Sequence, residues 1–314
     1  MPNWIGDLVL GLAVALRKRK AEAHGSRDFS LIVPERLCGL ARLLCDLPVI
    51  PLRRRPAAAR WESVRSVREQ LFAKLYLLPH SFSSALFGFF TRIPVRRGVA
   101  MELRSLLLTE RIAPFVASRD RHLTHEYAKV LETEAVDPAL WKGTGLQSPV
   151  KLSADWTGAI VLCPGAVYGP AKQWPHFDEL VRLLPEYRFV IAGDGKDRSE
   201  AARIASLAPS RIVTLAGETT LEEAAAIIAE ASLVVSNDSG LLHVAGFLGT
   251  PCIGIYGSTS STWTRPVGGS VRIAHGSCPR APCFRRVCPE KHYHCLGSIA
   301  PETVAAMARE LLFS

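Results

Sequence analysis

The chain has 314 residues, long enough for two medium domains, and its 48% hydrophobic and 21% charged content is that of an ordinary globular protein. Its net charge of +9 is one-sided: residues 1–150 hold 23 Lys and Arg against 14 Asp and Glu, whereas residues 151–314 hold 15 of each. A basic field confined to one half attracts an anionic partner, be it nucleic acid, an anionic membrane surface or a phosphorylated substrate.

No apolar run reaches the roughly 20 residues needed to cross a bilayer. The run at 8–16 has Asp7 ahead of it and the cations Arg17, Lys18, Arg19 and Lys20 behind it. That is the reverse of a secretory signal, so a cytoplasmic protein is expected. The same charges suit a buried helix over 7–20, acidic at its start and basic at its end. Strand-like segments at 29–33, 49–52 and 75–78 then alternate with helical ones at 36–45 and 61–72, the pattern of a parallel sheet with helical crossovers. One more helical stretch spans about 120–140. The Gly/Ser/Pro-rich segment 143–149 separates a first domain, 1–142, from a second, 150–314. In the second, apolar strands of the buried type are expected at 159–163, 188–192, 211–215, 233–236 and 252–256. Helices are expected at 177–184, 199–207, 221–230 and 240–247, with a closing helix at 301–312. Five strand–helix units make a doubly wound sheet, whose ligand lies beyond the carboxyl ends of the strands.

Two loops leave such ends. Ser236-Asn237-Asp238-Ser239-Gly240-Leu241-Leu242-His243 follows one strand and opens a helix. Free N–H groups and the helix dipole there suit a diphosphate, and Gly240 permits close approach. Asp238 or Ser239 caps the helix or meets sugar hydroxyls, and His243 lies one turn inside. An ordinary N-cap with a packed histidine is an equal reading of this octapeptide alone. The second loop, Pro164-Gly165-Ala166-Val167-Tyr168-Gly169-Pro170-Ala171-Lys172-Gln173-Trp174-Pro175, brings one cation, Lys172, to the same end of the sheet and favours the diphosphate. A third loop, 193–197, carries Lys196 and two glycines that permit close approach to a ribose or base, although its residues favour a plain turn. Late in the chain Cys278, Cys283, Cys288 and Cys295 fall within eighteen residues, with His292 and His294 between the last two. In a cytoplasmic protein such a cluster points to a metal staple more than to disulfides. The spacing is looser than C-x2-C, so zinc, an iron–sulfur centre, a redox-labile pair and free thiols all stay open.

The pairing of P-G-A-x-Y-G-P-A-K-x-W-P with S-N-D-S-G-L-L-H-V-A, about seventy residues apart, resembles the donor-binding half of glycosyltransferase family 9. Pro2-Asn3-Trp4-Ile5-Gly6-Asp7 resembles that family's opening motif. So do Leu78-Pro79-His80-Ser81-Phe82-Ser83-Ser84-Ala85, Ile93-Pro94 and Arg97-Gly98. Within the family, these segments and the late cysteines look most like the enzymes that add the second heptose to the lipopolysaccharide inner core.

The resemblance implies a GT-B fold, α/β throughout, with two Rossmann-like doubly wound domains facing a cleft. It implies inverting, metal-independent transfer of L-glycero-D-manno-heptose from ADP-heptose to heptosyl-Kdo2-lipid A, with no cofactor required for catalysis; a structural zinc is a reading of the late cysteines alone. Asp7 falls at the family's general base. Tyr168, Lys172, Asp238, Ser239 and Gly240 are the implied donor contacts, and Lys196 and His243 are expected beside them from their own loops. Arg53, Arg54, Arg55, Arg96 and Arg97 are the expected acceptor contacts, facing a phosphorylated Kdo–lipid A core at the anionic inner face of the inner membrane. Nucleic acid is not an expected partner, because the basic half carries no recognised nucleic-acid motif. Another family 9 transferase, or a sugar-nucleotide epimerase of the same architecture, is the rival reading. Family members carry a short apolar strand ahead of P-N-W-I-G-D. The chain opens at Met1-Pro2, so its first sheet is expected to lack this central strand and the true start to lie upstream.

Overall fold

Seventeen residues, Ile5–Ala21, form the first helix, α1, and every residue from Leu8 to Ala15 in it is buried. Asp7 lies in its first turn and Lys18, Arg19 and Lys20 in its last, each sign at the helix end that favours it. The computed structural model describes residues 1–22, 29–114, 119–152 and 156–313 and divides into two units, Met1–Asp137 and Pro138–Ser314.

In the first unit α1 is followed by β1 (Leu31–Pro34), α2 (Cys38–Leu44), β2 (Val49–Leu52), α3 (Ala57–Glu69) and β3 (Lys74–Leu77). Then come α4 (Phe82–Phe90), β4 (Val95–Val99), β5 (Glu110–Ile112) and α5 (Leu123–Leu131). The predicted strands and the first helices are present. The sequence pattern does not announce α4, β4 or β5. α4 is an almost unbroken apolar run, which periodicity cannot assign; Ser81 caps it by accepting the Ser84 N–H at 3.3 Å. β4 reads Val-Arg-Arg-Gly-Val, too polar to resemble a buried strand. The helix expected over 120–140 shrinks to α5, which ends where Glu132 turns left-handed at φ 55°. β1 and β2 pair in parallel as one sheet and β3, β4 and β5 as another. Among the described residues no strand runs between β1 and β3. A cavity of about 180 Å³ lies there, lined in part by Ile32, Leu52, Leu75 and Leu77.

The second unit contains β6 (Ile160–Cys163), α6 (Phe177–Leu183), β7 (Phe189–Ile191), α7 (Arg198–Ala205), β8 (Ile212–Thr214) and α8 (Leu221–Glu230). After these come β9 (Leu233–Asn237), α9 (Gly240–Leu248), β10 (Cys252–Tyr256), α10 (Ser261–Thr264), β11 (Val271–His275), α11 (His294–Gly297) and α12 (Pro301–Leu312). All six strands are parallel, in the order β11-β10-β9-β6-β7-β8. The winding therefore reverses between β6 and β9, the crevice where open α/β sheets take their ligands. β11 was not expected from the sequence: it is an edge strand with exposed residues, paired among the described residues with β10 alone. The unit boundary falls earlier than the 143–149 segment. Pro138 and Trp141 carbonyls accept the Gly268 and Gly269 N–H groups, and the Trp141 indole donates to the Phe247 carbonyl at 2.8 Å. These bonds tie 138–142 to the second unit.

Candidate active site

At the crevice between β6 and β9, Lys172 and Asp238 form an ion pair of 2.5 Å, with side chains 14% and 5% exposed. The topology explains the meeting: the Lys172 loop leaves β6 and the Asp238 loop leaves its neighbour β9. Thr259, after β10, donates its hydroxyl to the same Asp238 oxygen at 2.7 Å. Asn237 locks the two loops together, accepting the Trp174 N–H at 3.0 Å and donating to the Pro164 carbonyl at 2.6 Å. The Trp174 indole is anchored on the Ile299 carbonyl at 3.0 Å. Ser239 is the N-cap of α9 but makes no side-chain cap bond. Its hydroxyl lies 2.9 Å from that of Ser236. Gly240 opens the helix and His243 is buried in the first turn. Lys172, Thr259 and Asp238 form one polar cluster just ahead of the N-cap of α9, a helix start whose N–H groups and dipole suit an anion.

The third expected loop is a turn. Asp194 accepts the Lys196 N–H at 2.7 Å, and Asp197 accepts that of Asp194 at 2.9 Å. Lys196 is exposed, and its backbone N–H belongs to this turn. The Asp197 carboxylate explains two glycines: a Cβ on Gly165 would sit 2.1 Å from it and one on Gly193 2.6 Å. Burial pushes that carboxyl's pKa up.

Tyr168 serves the site from behind. Its hydroxyl donates to the Phe284 carbonyl at 2.6 Å, its ring lies under the Lys172 ammonium at 4.7 Å, and Arg286 stacks at 5.4 Å. The Ala171 N–H bonds the Arg286 carbonyl at 3.1 Å. The cysteine-rich segment 278–295 thus buttresses the loop that carries Lys172. Among the described residues no three His, Cys, Asp or Glu side chains are arranged to hold a metal ion. Cys295 is buried against the core, which pushes its thiol pKa up, and the charges of Cys278, Cys283 and Cys288 add to this. Cys288 goes the other way, because backbone N–H groups, that of Tyr293 foremost, stabilise its thiolate.

In the first unit Asp7 sits half-buried in the first turn of α1. The expected arginines divide. Arg53 is held by Glu35 at 2.7 Å and Glu62 at 3.6 Å. Arg96 is spent on the carbonyls of Leu107 and Ile93, and Arg97 on Glu110 at 3.0 Å and the carbonyls of Val130 and Lys129. These three brace the fold rather than wait for a ligand. Arg54 and Arg55 are exposed. Burial, then the charges of Arg60 and Arg36, holds the Arg54 guanidinium below its usual pKa, so three cations gather here. Arg36 follows β1 and donates to the Asn3 carbonyl; Arg60, in α3, donates to the Ser83 carbonyl at 3.4 Å. Arg36, Arg60 and Thr259 escape sequence reasoning, because a lone Arg or Thr in a loop carries no pattern.

Two α/β units, the second with a cation and a helix N-terminus at its crevice, are the architecture of a GT-B glycosyltransferase. The profile of "Glycosyltransferase family 9 (heptosyltransferase)" matches residues 60–294, and the chain belongs to that family. It is 30% identical over 342 residues to lipopolysaccharide heptosyltransferase 2 of Escherichia coli K12, covering 99% of this chain and 97% of that one. The Haemophilus influenzae lipooligosaccharide heptosyltransferase 2 is 29% identical with the same coverage. The solved structure of E. coli ADP-heptose lps heptosyltransferase II superposes with a TM-score of 0.80 at 27% identity, covering 99% of this chain and 97% of that one. The chain is an enzyme of this family.

Proposed function

We propose that the protein moves L-glycero-D-manno-heptose from ADP-heptose to the inner core of lipopolysaccharide, adding the second heptose to heptosyl-Kdo2-lipid A with inversion. The observation that carries the reading is the buried Lys172–Asp238 pair beside the N-terminus of α9. It occurs in a chain whose full-length relatives are named heptosyltransferase 2. The α9 N–H groups and Lys172 hold the diphosphate. As the acceptor oxygen bonds the anomeric carbon, the opposite bond to phosphate breaks and ADP leaves with its electron pair. Fixed donors aimed at that developing charge supply the catalysis, and none of it draws on a cofactor. Asp238 and Thr259 order the site around the sugar. Asp7 takes the proton from the acceptor hydroxyl.

Arg54, Arg55, Arg36 and Arg60 meet the acidic groups of the phosphorylated acceptor. The surplus of cations in the first half holds the enzyme at the anionic inner face of the inner membrane. Among the described residues no helix is long and apolar enough to cross a membrane. The test is mass spectrometry of purified heptosyl-Kdo2-lipid A after incubation with ADP-heptose and the protein. A mass gain of one heptose, absent with Asp7→Asn, is expected. An unchanged acceptor beside folded protein would overturn the reading.

A further inference from the structure

The helix α4 carries no charged residue and is apolar on two sides. Ala85, Phe87 and Gly88 are buried in the unit. Phe82 and Phe89, two helical turns apart, share the outer side with half-buried Leu86 between them, and they are 49% and 47% exposed. A helix that only met water would be polar there. Phe90 extends the patch: its ring lies 5.8 Å from that of Phe89 and packs edge-on, at 4.8 Å, against Trp61 of α3, which is 54% exposed. A contiguous exposed patch of large rings marks a surface that binds something.

The charge around the rings says what. Residues 53–97, which include α3 and α4, hold ten Lys and Arg against two Asp and Glu, nearly the whole net charge of +9. Arg65 and Arg68 lie one and two turns beyond Trp61 on the same side of α3, both exposed. Arg92 follows α4 and is exposed, and the Arg96 guanidinium lies over the Phe89 ring at 5.8 Å. A second copy of this face would bring like charges together. The rings already pack on one another and under Arg96, which suits insertion as a block better than stacking with single bases. An anionic lipid surface meets both halves of the chemistry. Aromatic rings settle at the boundary of headgroups and acyl chains, while arginines lay their stems along apolar surface and keep their charge among phosphates.

We propose that the outer face of α4, with Trp61, is where the protein enters the surface of an anionic phospholipid bilayer. Phe82, Phe89, Phe90 and Trp61 sit below the phosphates, and Arg65, Arg68 and Arg92 pair with them. Arg60, one of the acceptor-facing arginines, donates to the Ser83 carbonyl at 3.4 Å and so joins α3 to the start of α4. A membrane-anchored acceptor is thereby met at the surface in which the enzyme already rests.

The inference rests on the membrane part of the proposed function, and its test needs no turnover. The full chain is sedimented with vesicles of phosphatidylglycerol and phosphatidylethanolamine, or of phosphatidylcholine alone. Wild type is expected to bind the anionic vesicles at least about tenfold more tightly. Phe89→Ser with Phe90→Ser is expected to lower that affinity about tenfold, and Arg65→Gln with Arg68→Gln about thirtyfold at low salt. Phe313→Ser, an exposed ring in the second unit, is expected to change nothing. Acyl chains brominated near the headgroup are expected to quench wild-type tryptophan fluorescence, and Trp61→Phe to remove most of that quenching. Ring variants that bind as wild type does, or quenching that persists in Trp61→Phe, overturn this inference and leave the transfer reaction standing. So does a wild-type dimer or an oligonucleotide complex that the ring variants abolish while vesicle binding stays intact. Wild type that ignores anionic vesicles overturns both the inference and the membrane part of the proposed function. Wild type that binds vesicles through these rings yet transfers no heptose overturns the transferase reading alone.

Discussion

The two units solve the same architectural problem to different depths. The second has one continuous six-stranded sheet, and its polar cluster is wired before any ligand arrives, with Asn237, Thr259 and Trp174 each bonded across loops. The first has its strands in two sheets, and the arginines at its strand ends are exposed or half-buried and cluster by like charge. A donor nucleotide has one shape, and a preformed site recognises it at little ordering cost. A large, charged acceptor is better met by long, adaptable cations whose long-range field brings it in.

Removing the cation from the wired side should have the largest effect. Lys172→Gln is expected to lower kcat/KM for ADP-heptose about 10³-fold, read by initial rates of ADP release. On the open side, Arg54→Ala with Arg60→Ala is expected to raise the acceptor KM about tenfold and to leave kcat near wild type. Arg97→Ala is expected to leave both constants near wild type and to lower the melting temperature, because its partners are Glu110 and backbone carbonyls. If Arg97→Ala instead raised the acceptor KM, the division between bracing and ligand-facing arginines would be wrong. Tyr168→Phe removes one hydrogen bond to the buttressing segment and is expected to cost about 1 kcal/mol, or roughly fivefold in ADP affinity by calorimetry.

Thiol chemistry sharpens the contrast within the second unit. Burial pushes Cys163 and Cys252 up to about 12, whereas N–H groups lower Cys288. Limited alkylation near neutral pH should therefore label Cys288 first and those two last. The smallest effect concerns pH. Lys74, first among the causes, holds the Glu110 and Glu132 carboxyls below their ordinary values. Groups depressed in the folded state add stability above their unfolded pKa and lose it as pH falls through the folded one. The stability gap between wild type and Lys74→Met should therefore be full near neutral pH and shrink as pH falls below the ordinary carboxylate range in urea titrations.

The second unit was legible because its strands are short apolar runs bounded by turns and its helices carry clean periodicity. Two glycine-bearing loops leaving neighbouring strand ends sufficed to bring Lys172 and Asp238 together. The first unit was legible only in part. α4 is apolar on all sides and β4 carries two arginines, so neither shows the period of its own structure. Arg53, Arg54 and Arg97 look alike in sequence. What separates them is whether a distant carboxylate, Glu35, Glu62 or Glu110, folds back within reach, and local pattern holds no record of that. The Cys278–Cys295 segment hid its part for a related reason: spacing bears only on its thiols, and no pattern records that the Phe284 and Arg286 carbonyls meet the Lys172 loop.

Equilibrium binding of ADP to wild type, Lys172→Gln and Asp7→Asn tests the division of labour most directly. The account predicts that Asp7→Asn binds ADP as wild type does while turning over nothing, and that Lys172→Gln loses affinity about 10²-fold. Wild-type ADP affinity in Lys172→Gln, or lost affinity in Asp7→Asn, would contradict it.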